Sequence, residues 1–152
     1  MARINRTHMC GELSLDNLGE KVTLAGWVQR RRDLGGLIFI QLRDRSGIIQ
    51  CTVNKDATPD VFAEAFKVRS EYVLAISGEV IRRDENAINP KMQTGYIEIA
   101  VSSLEILSRA ETTPIYIEDD LNASEQLRLK YRYLDLRRPH MQKFLLTRHK
   151  IA

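Results

Sequence analysis

Little in this sequence supports catalysis, membrane insertion or covalent cross-linking. There are only two cysteines in 152 residues. Cys51 alternates with Ile49 and Val53 and reads as a small core hydrophobe, so the expectation is a buried reduced thiol rather than a disulfide with Cys10. No apolar run approaches the ~20 residues needed to span a bilayer. The opening MARINRTHMCGEL lacks the apolar core of a secretory signal, which makes the cytoplasm the expected compartment. His8 and Cys10 form an isolated pair, and His140 and His149 lie far off without ligand spacing, so no metal site is expected. The phosphate loop GxxxxGK[ST], the GxSxG elbow and a paired-carboxylate arrangement are all missing, and Asp84-Glu85 reads as a solvated turn. A small standalone enzyme, such as a nuclease or phosphatase, would need a cluster of ligands or carboxylates that the chain does not supply. Internal repeats and low-complexity tracts are absent too.

What the chain does have is alternation. With 43% hydrophobic and 28% charged residues it has the composition of a soluble globular protein, long enough for one core and an appendage. VTLAGWVQRRR (22–32) places Val22, Leu24, Gly26 and Val28 at period two, with a glycine where a barrel strand bends. LIFIQLRD (37–44) sets Ile38, Ile40 and Leu42 against Phe39, Gln41 and Arg43. IIQCTVN (48–54) sets Ile49, Cys51 and Val53 against Ile48, Gln50 and Thr52. Pro59 opens a helix whose Val61, Phe62, Ala65 and Phe66 fall at helical spacing. YVLAISGEVIRR (72–83) and YIEIAVSSLEILS (96–108) resume strand patterning around the polar stretch 84–95. Three strands, a helix and two strands is the order of an OB-fold, an all-β five-stranded barrel with one helix between strands 3 and 4. A sandwich would want about seven strands and no central helix. The barrel is expected over 1–108. A partly helical linker follows over 109–152, with a hinge around Pro114 and a helix capped by Ser124 or Asn122 running through SEQLRLKYRYLDLRR. The last basic segment reads as cut in mid-helix.

Such a barrel binds ligands on the face of its second and third strands, flanked by the one-two and four-five loops. Phe39 lies on the outward parity of strand two, where a phenyl has no folding rationale and could stack on a splayed base. Gln50 shares that face and carries both a donor and an acceptor for a base edge. Arg30 and Arg32 share one side of strand one as it enters the one-two turn. Arg83 and Asn89 bracket the four-five loop, and Glu98 on strand five could accept from a guanine amine edge. Trp27, beside Gly26 in mid-strand, reads as packing. The net charge of +3 is mild, but arginines recur beside turns and the segment Arg128 to Lys150 is basic, a sign that suits a polyanion or a solvated helix face. The expected ligand is single-stranded RNA, with a general single-strand binder as the alternative. That alternative would want several exposed aromatics.

Taken together, GWVQRRRDLGGLIFIQLRDRSGIIQ (26–50) resembles the anticodon-binding domain of bacterial aspartyl-tRNA synthetases. RLKYRYLDLRRP (128–139) is similar to the stretch joining that domain to the catalytic domain. Lysyl and asparaginyl synthetases share the barrel and variants of RYLDL, while RRRDLGG and LDLRRP favour the aspartyl type. The resemblance implies that Phe39 stacks on an anticodon base of an aspartate tRNA, that Gln50 and Arg32 read edges nearby, and that Arg83, Asn89 and Glu98 complete the site. In DENAIN (84–89), Ala87 stands where many family members carry a second Asn contacting the third anticodon base, whereas Leu34 resembles the form strict for aspartate tRNA. It further implies a longer parent, a homodimeric ligase using ATP and Mg. The present chain is then expected to be a monomeric tRNA-binding module without cofactor and without catalysis.

Overall fold

The computed structural model describes residues 5–120 and 122–152. The chain divides into two compact units, Met1–Glu111 and Thr112–Ala152. In the first, β1 (Lys21–Asp33), β2 (Leu37–Asp44), β3 (Gly47–Asn54), β4 (Val73–Arg82) and β5 (Ile97–Ser108) close a barrel in the order β1-β2-β3-β5-β4, with helix α1 (Pro59–Lys67) between β3 and β4. This is the architecture that the strand order predicts. The antiparallel neighbours are β1–β2, β2–β3, β4–β5 and β1–β4. The seam is a short parallel pairing of β3 with β5, Cys51 opposite Ile99 and Thr52 opposite Ala100.

Barrel closure needs β1 to serve two neighbours. Its first half pairs with β4 as far as Trp27 opposite Val73, and from Trp27 it pairs with β2. Gly26 sits at this change of partner, and a Cβ there would lie 2.4 Å from the Arg43 carbonyl oxygen; only a residue without a side chain lets the strands pass so closely. The inward set is apolar throughout: Val22, Leu24, Val28, Ile38, Ile40, Leu42, Ile49, Cys51, Val53, Leu74, Ile76, Ile97 and Ile99 share one core. Ala65 and Val68 from the α1 region join it, with Val61 and Phe62 packed alongside. Cys10 and Leu13, ahead of β1, are also buried in this core. Both cysteines are free and buried, and burial pushes both thiols upward in pKa. Asp44 holds the N-terminal segment in place, accepting from the Cys10 amide at 2.8 Å and from the Ser46 hydroxyl at 2.6 Å.

The second unit has a small core of Ile115, Ile117 and Leu134, backed by Ala123, Leu127 and Tyr131. Ser124 caps α2 (Glu125–Lys130) by accepting from the Leu127 amide. The single helix expected through SEQLRLKYRYLDLRR is in fact two. Tyr131 leaves helical geometry at φ −107°, ψ 46°, and α3 (Arg132–Asp135) restarts after it. The break lets Asp135 turn inward, fully buried, to accept from Arg132 at 2.6 Å and Arg138 at 2.7 Å. Pro139 then opens α4 (Pro139–Ile151). Two of the basic residues that gave this segment a polyanion-friendly sign are thus engaged with a buried carboxylate. Among the described residues no helix is long and apolar enough to cross a membrane.

Candidate functional site

The outward face of the barrel is set by one irregularity. Continued from Val28 at strict period two, β1 would turn Arg30 and Arg32 toward the core. Instead the register shifts between Val28, opposite Leu42, and Arg30, opposite Gln41, so Gln29 is an extra, bulged residue. An added residue reverses the parity of everything beyond it. Arg30 and Arg32 consequently lie outside with Gln41 and Phe39. Arg31 turns to the other side, where its Nε donates to the Ala65 carbonyl at 3.2 Å and its guanidinium lies 5.2 Å from the Phe66 ring centroid. The bulge is itself pinned. Arg43 donates to the Gln29 side chain and forms a two-pronged pair with Glu71 at 2.8 and 3.0 Å, in a buried setting.

Cross-strand register therefore builds two rows on the outer face. One runs Arg32, Phe39, Thr52, Ala100; the other runs Arg30, Gln41, Gln50 and on to Glu98. Arg30, Arg32, Leu34, Phe39, Gln41, Gln50 and Ala87 line a cleft of about 220 Å³. Four of the residues singled out in the sequence come together here: Arg30, Arg32, Phe39 and Gln50. Phe39 is half-buried rather than fully exposed. Leu34, from the one-two loop, and Ala87, from the four-five loop, both line it.

The remaining three candidates are placed differently. Glu98 adjoins the cleft through Gln50, whose Nε2 donates to its Oε2 at 2.7 Å. That bond engages one N–H of the Gln50 amide and orients the group, leaving its second N–H and its carbonyl oxygen. Arg83 is almost fully buried: Nε donates to the Ile97 carbonyl at 2.9 Å and Nη1 reaches the Ala87 carbonyl at 3.5 Å. Its Nη2 is buried with no hydrogen-bond partner among the described residues. Burial lowers the Arg83 pKa, against the opposing pull of Glu98 and Cys51. Asn89 does not line the cleft. Its Oδ1 accepts from the Lys91 amide at 3.1 Å, and its backbone pairs with Gly95 and Met92, so it shapes the four-five loop from within. The sequence reading passed over Gln41, although it shares the parity of Phe39, the one signal that could have found it. Among the described residues no group of His, Cys, Asp or Glu could hold a metal ion.

A five-stranded barrel whose β1–β2–β3 face carries a phenyl, two amides and two arginines has the equipment of an oligonucleotide-binding module. The comparisons agree with that class. A family model described as an OB-fold nucleic acid binding domain matches residues 22–107, and the chain belongs to this family. It is 56% identical over 149 residues to the aspartate–tRNA(Asp/Asn) ligase of Thermoanaerobacter sp. (strain X514), covering 98% of this chain and 25% of that protein. The aspartate–tRNA ligase of Clostridium tetani is 54% identical, again over 98% of this chain and 25% of its own length. The crystal structure of asparaginyl-tRNA synthetase from Pyrococcus horikoshii superposes with a TM-score of 0.73 at 32% identity, covering 90% of this chain and 30% of that one. The chain thus spans about a quarter of the curated relatives it matches.

Proposed function

We propose that this chain is the anticodon-loop recognition module of an aspartate–tRNA ligase. The observation that carries the reading is the cleft that gathers Phe39, Gln50, Arg30 and Arg32 on one face. A base splayed from a loop stacks on Phe39, amides read its edge, and Arg32 meets the backbone or a neighbouring edge. Glu98 holds the Gln50 amide in place and offers its second oxygen to a base donor. Arg83 supports the floor beneath the four-five loop, and Asn89 fixes that loop's shape. Activation of aspartate, with ATP and magnesium, belongs on this reading to the rest of a longer, homodimeric ligase, and the present chain binds tRNA as a monomer without performing the reaction. A general single-strand platform would stack successive bases on several aromatics, whereas among the described residues Phe39 is the one aromatic lining the cleft.

The test is titration of the chain with an RNA stem-loop carrying the aspartate anticodon GUC, beside loops in which each anticodon base is changed in turn. Tighter binding of the GUC loop is expected. Equal affinity for all of the loops would overturn base recognition. An ATP–pyrophosphate exchange assay of the same chain is expected to be silent.

A further inference from the structure

The geometry points to Gln41 as a further specificity-determining residue of the RNA cleft, its side-chain NH2 donating to a base edge that the Gln50 carbonyl oxygen also contacts. This rests on the RNA-binding reading above and adds to it a residue and a division of labour.

Three observations lead here. The first is register. Gln41 lies directly opposite Gln50, so their Cβ atoms are about 5 Å apart on one face. Phe39 follows on the same face two residues along β2, about 7 Å away at strand rise. A base stacked against Phe39, or its immediate neighbour in the strand, falls within reach of both amides.

The second observation is the state of each amide. A carboxylate only accepts hydrogen bonds, so the 2.7 Å contact between Gln50 and Glu98 fixes the Gln50 NH2 toward Glu98. One Gln50 N–H is thereby committed, and its carbonyl oxygen is the end of the amide turned away from Glu98. The Gln41 side chain has no hydrogen bond within the described protein, yet it is half-buried in the cleft wall. A partly desolvated amide without a partner contributes nothing to folding and costs stability. Its NH2 stands beside the Gln50 carbonyl oxygen with no bond to another described residue.

The third is chemistry. The Watson–Crick edge of every nucleobase, which a splayed base exposes, presents at least one donor beside an acceptor. An acceptor alone distinguishes edges poorly. An acceptor from Gln50 beside a donor from Gln41 meets a base that turns an N–H to one and a lone pair to the other. The pair resembles one bidentate amide assembled from two strands, with Glu98 setting its polarity.

The experiment uses the chain with the GUC stem-loop and loops carrying every other base at each anticodon position, comparing the parent sequence with Gln41→Ala, Gln41→Glu and Phe39→Ala. Gln41→Ala is expected to reduce the preference for the correct base by about fivefold or more at one position and to leave the other positions within about twofold, the low end of what a paired amide contributes. Gln41→Glu, nearly isosteric, replaces the donor by an acceptor and is expected to lose at least as much at that position. Thermal melts establish that both variants are folded, and Gln41→Glu keeps the test decisive if Gln41→Ala is not. Unchanged preferences at every position in a folded variant would overturn the role of Gln41, and if Phe39→Ala still weakens binding the RNA reading survives that failure. A parent chain that shows no base preference, with Phe39→Ala without effect, would overturn both.

Discussion

Replacing Glu71 separates two energies that act on the same residue. Glu71 closes the buried two-pronged pair with Arg43, and it does so from a left-handed backbone conformation, φ +62°, that a non-glycine residue adopts at a cost. Glu71→Ala leaves Arg43, a residue only 8% exposed, without its carboxylate, and losing one partner of a buried pair costs about 3–5 kcal/mol. Glu71→Gly removes the same carboxylate but relieves the left-handed strain, worth about 1–2 kcal/mol, so it is expected to cost that much less than the alanine variant. Urea unfolding followed by fluorescence reports the difference well, because the only tryptophan, Trp27, pairs with Arg43 in the β1–β2 register. The same network pins the Gln29 bulge that turns Arg30 and Arg32 outward, so Glu71→Ala is also expected to weaken RNA binding under conditions where the barrel remains folded. A loss below about 1 kcal/mol for Glu71→Ala would refute the claim that the pair holds this corner. Equal losses for alanine and glycine would refute the strain.

Other substitutions test the face and its supports. Phe39→Ala is expected to weaken binding of the GUC stem-loop by about 1–3 kcal/mol, and to cost about 1 kcal/mol of folding stability because the ring is only half-buried; anisotropy titration and urea melts measure the two separately. Arg32→Ala, if the guanidinium meets a phosphate, flattens the slope of log affinity against log salt by ~0.7, and an unchanged slope would assign Arg32 to a base edge instead. Burial alone would raise the Asp44 carboxyl, but hydrogen bonds from Ser46 and Cys10 outweigh it and hold its pKa below the ordinary 3.8. A depressed carboxyl contributes stability above its unfolded pKa and loses it as pH falls through its folded one. The stability advantage of the parent over Asp44→Asn should therefore be constant from neutral pH down to about 3.8 and shrink below it, as urea melts across that range would register.

The strands were legible because each has one face in the core and the other outside it. In β2 the alternation of Ile38, Ile40 and Leu42 with Phe39, Gln41 and Arg43 gives the element, its ends and its inward side from local pattern alone. The α1 helix was legible from Pro59 and its spacing. The failures share a cause, which is dependence on a partner distant in sequence. The Gln29 bulge is held by Arg43 and Glu71, contributed by β2 and by the turn before β4, so nothing within VQRRR signals that parity reverses there. That one Gln50 N–H is engaged by Glu98 depends on β3 meeting β5 at a parallel seam. Arg83 looked like a rim residue because it ends a strand, yet its guanidinium finds carbonyl partners at Ile97 and Ala87 and folds inward. Asn89 was a different kind of miss: an Asn followed by Pro90 and Lys91 has a local reason to bond its own loop, and that reason was readable.

These placements bear on how a chain of only mildly positive charge can recognise a polyanion. Several arginines that appear available in the sequence are committed to the fold: Arg31 to α1, Arg43 to Glu71, Arg83 to the four-five loop, and Arg132 and Arg138 to Asp135. Phosphate contacts supply affinity without sequence information, whereas base-edge contacts supply discrimination. With those arginines committed to the fold, the cleft sets Arg30 and Arg32 beside two facing glutamines and a phenyl, and is therefore weighted toward discrimination. Its binding should show a shallow salt dependence and a steep dependence on base identity. A nonspecific single-strand binder with the same barrel would show the reverse, and measuring both slopes on one set of stem-loops separates the two without any mutation.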